Sequence, residues 1–141
     1  MRVKLPVKIV ELESSNFHLL VSCCLNSGEQ EYWVIDTGAS RSVFDKNLTA
    51  GIAAVMDETE DLHAANMSEA PLKTSLGTLN PVSFGKFRVE AMQVALIDMD
   101  AINDLYQKVS EYKICGLLGS DFLLKYHAVI DYKRQLLKLS D

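Results

Sequence analysis

Val34-Ile35-Asp36-Thr37-Gly38-Ala39-Ser40 is the stretch on which the reading of this chain turns. Three apolar residues, Trp33, Val34 and Ile35, run straight into a carboxylate. An acid there sits at the end of a half-buried strand, where neighbouring donors matter most because solvation is incomplete. Thr37 offers a hydroxyl. Gly38 offers a backbone N–H that approaches closely because glycine lacks a Cβ. Both groups orient and support a partly buried carboxylate. The tripeptide alone also suits an ordinary Asx turn closing a strand, so its meaning depends on its surroundings.

Upstream, the surroundings read as strands. Residues 5–12 alternate unevenly and residues 17–25 are apolar almost throughout. Glu13-Ser14-Ser15-Asn16 and Asn26-Ser27-Gly28-Glu29-Gln30 are turn clusters of the kind hairpins favour. Two hairpins in a row predict an antiparallel meander ending on Asp36. Downstream, Asp45 caps one helical turn over 45–48, and the acidic run 56–61 reads as a solvated loop. Residues 72–79, 82–84 and 87–97 read as strand, the last two joined by a tight turn at Gly85-Lys86. Residues 100–111 carry Ile102, Leu105, Tyr106 and Val109 at i, i+3, i+4 and i+7, which predicts a helix with that stripe in the core, capped by Asp98 or Asp100. A short helix over 122–126, capped by Ser120 or Asp121, and a hairpin over 128–139 close the chain.

With 141 residues, 48% hydrophobic and 23% charged, the chain suits one domain, 1–141, with a single core. Strands dominate and no strand–helix alternation appears, so a small β-barrel is the expected architecture. The net charge of −5 argues against a nucleic-acid partner, which needs a concentrated positive patch. No run is long and apolar enough for a membrane span. The N-terminus lacks the apolar stretch of a signal peptide, which favours the cytoplasm if the chain is full length. Cys23, Cys24 and Cys115 have no zinc spacing and read as buried thiols. His18, His63 and His127 make no metal pair and read as surface or core residues.

The segment 34–40 resembles the active-site signature of aspartic proteases. Some eighty residues on, Leu117-Leu118-Gly119-Ser120-Asp121-Phe122-Leu123 resembles that family's second signature, a glycine leading into a short helix. The two hairpins before the motif and the closing hairpin are similar to those of retropepsin-like domains. The resemblance implies an all-β, closed acid-protease barrel with one helix near the C-terminus. It implies Asp36 as the catalytic carboxylate, supported by Thr37, Gly38, Ala39 and Ser40. Gly119 becomes the point where a strand passes close behind the catalytic loop. Thr37 takes the role of bonding across to a partner loop, and Ser40 a place near the carboxylate.

Pepsin-like relatives carry two such motifs; this chain has one Asp-Thr-Gly. The chemistry needs two carboxylates that share a proton, which implies a homodimer with one Asp36 from each subunit. It needs no metal or cofactor. An extended peptide or unfolded protein is the implied substrate. By position a covering flap falls in 63–76, with Asn66, Met67, Ser68, Glu69 and Ala70 at its tip. That tip lacks glycine and aromatic residues, so a plain surface loop is the alternative. Two rivals remain at this stage: a dimeric peptide-binding module of the same fold with little turnover, and a structural protein in which Asp36 only caps a turn.

Overall fold

The structure, a computed structural model, describes residues 1–61 and 72–141. β1 (Arg2–Glu13), β2 (Asn16–Cys24) and β3 (Gln30–Ile35) form the expected antiparallel meander. Ser15 and Gly28 take positive φ in its two turns. Core lies on both sides of this meander. Leu19, Val21, Cys23, Trp33 and Ile35 enter one cluster, while Leu20 and Val34 enter a second. Burial on both faces explains why 17–25 is apolar without alternation.

The remaining elements are β4 (Val43–Asp45), β5 (Ile52–Asp61), β6 (Leu72–Leu79), β7 (Val82–Phe84), β8 (Phe87–Val89), β9 (Met92–Ile97), α1 (Asp100–Gln107), β10 (Ile114–Leu118), α2 (Ser120–Lys125), β11 (Val129–Asp131) and β12 (Leu136–Ser140). The sheet runs β11-β12-β1-β2-β3-β10-β4-β9-β6-β5, with β7 and β8 branching from β2. Most neighbours are antiparallel, but β10 lies parallel to β3 and β4 parallel to β9. β10 therefore slots between β3, which leads into Asp36, and β4, which follows the motif.

The mostly-β expectation holds, but the sheet is an open path among the described residues rather than a closed barrel. Closure would need β5 to pair with β11, and β11 has three residues, all matched to β12. Among the described residues there are two α-helices, near the two places where the sequence pattern puts them, where the family resemblance implies one. The acidic run 56–61 belongs to β5 and not to a loop, because it pairs in register with β6 up to Asp61↔Leu72. β5 is the sheet edge, where charged residue types are tolerated and discourage stray pairing. The segment expected as a flap tip, Asn66, Met67, Ser68, Glu69 and Ala70, lies outside the described residues.

The expected helical turn over 45–48 is not helical. Asp45 ends β4, and its Oδ1 accepts the N–H groups of Asn47 (3.0 Å) and Met99 (3.4 Å). The capping chemistry is present, but it closes a turn that a 3₁₀ turn, Thr49–Gly51, then follows. α1 stops at Gln107, short of 111, because Val109 and Ser110 turn their N–H groups back to the Tyr106 carbonyl. Its stripe is only partly core: Tyr106 is buried, while Leu105 and Val109 are 42% and 49% exposed. Asn103 ties the helix to β10 by two hydrogen bonds with the Ile114 backbone (2.7 and 3.0 Å).

An aromatic chain runs through the main core, Trp33–Phe84–Phe122–Tyr126, with centroid spacings of 6.3, 5.4 and 4.9 Å. Each such ring contributes on the order of 2 kcal/mol by leaving water, and together they anchor α2. Cys23 and Cys115 are buried as expected, with Cys23 Sγ accepting the Trp33 indole N–H at 3.1 Å; Cys24 is exposed.

Glu31 is the anomaly of this core. It is 3% exposed, its Oε2 has no partner among the described residues, and its Oε1 meets only the Lys113 ammonium at 3.7 Å. Burial pushes its carboxyl above the usual glutamate range, against the weaker opposing pull of Lys113. A raised folded-state pKa means the folded chain holds this proton more tightly than the unfolded one. Stability from this group is full below the ordinary glutamate pKa and is lost as pH rises through the folded value. Glu31→Gln is therefore expected to raise Tm by a few degrees at pH 7–8, with the gain fading below about pH 4. Thermal melts across that range check this, and a Tm gain independent of pH would contradict it.

Candidate active site

β3 delivers Asp36 half-buried at its C-terminal end, and the Asp36 N–H donates to the Leu118 carbonyl at 2.9 Å. The catalytic-loop candidate is thus an extension of the β3–β10 pairing. The Gly38 N–H donates to Asp36 Oδ1 at 3.0 Å, as the sequence suggests. This fixes the carboxylate plane with one charge-assisted bond. The Ala39 N–H returns to the Asp36 carbonyl at 3.2 Å and closes the turn. Thr37, Gly38 and Ser40 are exposed and Ala39 is half-buried, so the loop presents its outer face to solvent.

Gly119 stands directly behind this loop. A Cβ there would lie 2.7 Å from the Ala39 carbonyl oxygen and 2.9 Å from the Arg41 carbonyl carbon. The close approach expected at Gly119 is present, and it is backbone against backbone. Ser120 adds two ties, its N–H to the Ala39 carbonyl (2.7 Å) and its Oγ to the Thr37 carbonyl (3.0 Å).

Sequence reasoning missed the clamp that holds the two loops together. Ser42 is fully buried, and its N–H and Oγ both donate to Asp121 (2.9 and 2.7 Å to Oδ1). Ser42 Oγ in turn accepts the Gly119 N–H at 2.9 Å. The sequence offers Asp121 as a cap of α2, but the helix already starts at Ser120 after Gly119 with no side-chain cap, and Asp121 accepts the Phe122 N–H at 2.8 Å from inside its first turn. Its bonds to Ser42 span 79 positions, and nothing local in the sequence signals them. Asp121→Ala is expected to cost about 2 kcal/mol, since it strands buried donors on Ser42. A surface helix cap would cost about 1 kcal/mol or less. Urea denaturation separates the two, and a loss at the smaller figure would show that the clamp carries little.

A groove of about 390 Å³ opens beside Asp36 and Thr37. β2, β3, β10, α1 and the closing hairpin line it, through residues including Leu19, Ile102, Leu105 and Leu117. Continuing the β2–β3 register two residues past Leu20↔Val34 brings His18 level with Asp36. The Tyr106 hydroxyl lies 2.6 Å from His18 Nδ1, and the two rings meet edge to face. Burial first, and the negative charge of Asp36 second, push the Tyr106 phenol up to about 12, so it keeps its proton throughout the physiological range. Among the described residues no three His, Cys, Asp or Glu side chains gather as metal ligands, and no helix is long and apolar enough to cross a membrane.

Residues 21–122 match the family described as aspartyl protease. No curated protein matches. Among solved structures, a retropepsin-like aspartic protease from Rickettsia conorii is similar, with 19% identity and a TM-score of 0.58 over 99% of this chain and 89% of that one. The retroviral protease-like domain of Ddi1 from Leishmania major gives 15% identity and a TM-score of 0.49 over 86% of this chain and 84% of that one. The first of these likenesses establishes the retropepsin-like fold.

Proposed function

The chain belongs to the aspartyl protease family, and on that premise we propose that it hydrolyses peptide bonds as a homodimer in which each subunit supplies one Asp36. The observation that carries this reading is a single half-buried Asp36, locked by Gly38, backed by Gly119 and open to a groove. One such carboxylate is half of the required chemistry. A two-fold dimer brings the second beside it.

Two carboxylates that close cannot both ionise, so they hold one proton between them; this is a general property of aspartic-protease dyads. The ionised Asp36 removes a proton from a water as that water attacks the peptide carbonyl. The protonated Asp36 of the other subunit gives its proton to the developing oxyanion. The newly protonated Asp36 then gives its proton to the amide nitrogen while the other Asp36 takes back the proton of the hydroxyl it formed, so the C–N bond breaks, the carboxyl product forms and the pair again holds one proton. In this reading the exposed Thr37 hydroxyl crosses to the partner loop, Ser40 lies beside the bound peptide, and Gly119 keeps both loops in place. Residues 1–141 form one half of the enzyme. An extended peptide or unfolded protein lies along the cleft.

The test is cleavage of an unfolded protein at acidic pH by the wild-type chain and by Asp36→Asn, with the dimer state of both measured by sedimentation. Cleavage that survives Asp36→Asn sinks the reading. Binding without cleavage by either protein would leave a peptide-binding module in its place.

A further inference from the structure

We propose that the groove beside Asp36 is a side-chain subsite selecting a bulky residue that ends in a neutral hydrogen-bonding group, tyrosine above phenylalanine, with His18 as its specificity-determining residue. The inference rests on the peptidase reading of Asp36 and names what that site prefers.

Position comes first. Asp36 and Thr37 line the groove, so a side chain flanking the bond under attack has direct entry to it. Its volume of about 390 Å³ lies in the range of formed ligand pockets. Its walls are apolar. At its mouth Phe17 and Tyr132 are 59% and 65% exposed, and Leu105 is 42% exposed. Large apolar side chains gathered in water around a concavity mark a surface that another molecule covers. Of the α1 stripe, Ile102, Leu105 and Tyr106 line this space, and Leu105 does so while remaining exposed.

The polar chemistry of the lining is narrower. His18 is the one nitrogen-bearing side chain of the lining. Its Nδ1 is committed to Tyr106, and Nε2 has no hydrogen bond among the described residues. The Tyr106 hydroxyl occupies Nδ1 whichever of the two atoms carries the shared proton, which leaves Nε2 as the ring's remaining hydrogen-bonding atom. The lining thus offers one ring nitrogen without a partner among the described residues. A phenol hydroxyl both donates and accepts, so it pairs with that nitrogen in either tautomer. An acidic side chain would instead meet the negative charge of Asp36. Sites built to hydrogen-bond a substrate hydroxyl discriminate against the analogue that lacks it, because the site's polar group is then left unpaired.

Peptide pairs differing only in Tyr or Phe at a residue flanking the scissile bond provide the test. The wild-type chain should favour the Tyr peptide by about 10-fold in kcat/KM, the equivalent of one neutral hydrogen bond. His18→Leu should bring the ratio close to 1. A wild-type ratio near 1, or a ratio that His18→Leu leaves unchanged, overturns the inference while the peptidase reading stands. If the wild-type chain cleaves neither peptide, the peptidase reading has failed, and the subsite is judged separately on binding. In Asp36→Asn, the Tyr peptide should shift the His18 ring signals in NMR and bind about 10-fold tighter than the Phe peptide. Equal binding, or no His18 shift, overturns it.

Discussion

Refolded together with a threefold excess of Asp36→Asn chains, the wild-type chain is expected to show about a quarter of its unmixed activity per wild-type subunit. The argument is one of stoichiometry. With random pairing, a wild-type subunit finds another wild-type subunit about one time in four. A dimer holding one Asp36 and one asparagine has no shared acidic proton, and it lacks either the base for water or the acid for the carbonyl. By itself the Asp36→Asn homodimer should lose about 10³-fold or more in kcat/KM, the scale at which general acid–base groups contribute. Asparagine keeps the size of the side chain, and its carbonyl oxygen still accepts the Gly38 N–H that now reaches Asp36 Oδ1. Loss of fold is therefore not the expected cause. Activity per wild-type subunit that stays constant on mixing would mean each chain is catalytically complete, and the shared-site reading would fail.

How much of this was legible before the structure follows from the range of each interaction. The meander, the turn at Gly85-Lys86 and the closing hairpin are local, set by apolar periodicity and turn residues, and they stand where periodicity puts them. Asp36 with Gly38 was legible because a half-buried charge demands donors and close approach demands glycine, while Gly119 ahead of α2 was legible through the resemblance of its signature. What escaped depends on partners far along the chain. The bonds from Asp121 to Ser42 look from sequence like a helix cap, because capping and clamping use the same residue types. The α1 stripe has the right spacing for core, but spacing does not say how wide a face the sheet covers, and Leu105 and Val109 remain exposed. The run 56–61 looked like loop because acidity outweighed pattern, whereas pairing with β6 decides it. His18 carried no local signal; its place beside Asp36 comes from the register of two strands.

Gly116→Ala is expected to do more damage than any other glycine-to-alanine change in this chain. No local pattern singles this residue out from the apolar residues around it. In the structure β10 is wedged between β3 and β4, and Gly116 pairs with Trp33 on one side and Phe44 on the other. A Cβ at Gly116 would sit 2.1 Å from the Val43 carbonyl oxygen and 2.6 Å from the Trp33 ring. Neither neighbour has room to yield: Val43 is held by β9 as well as β10, and Trp33 is fully buried against Phe44 and Phe84. The expected loss is on the order of 4 kcal/mol, in the exceptional range for one substitution, and is enough to unfold a domain of ordinary stability. Gly119→Ala should rank second, since its clashes at 2.7–3.0 Å fall on backbone of the catalytic loop; it should cost activity more than stability. Gly77→Ala meets only the flexible end of Leu96 at 2.8 Å, and Gly38→Ala has ordinary contact at 3.4 Å, so both should be milder. Denaturation of the four variants reads the order directly. If Gly116→Ala melts within about 1 kcal/mol of wild type, β10 does not run between β3 and β4 in the way described. Gly119 would then no longer be carried to the back of the Asp36 loop, and the geometry that makes this carboxylate half of an active site would lose its support.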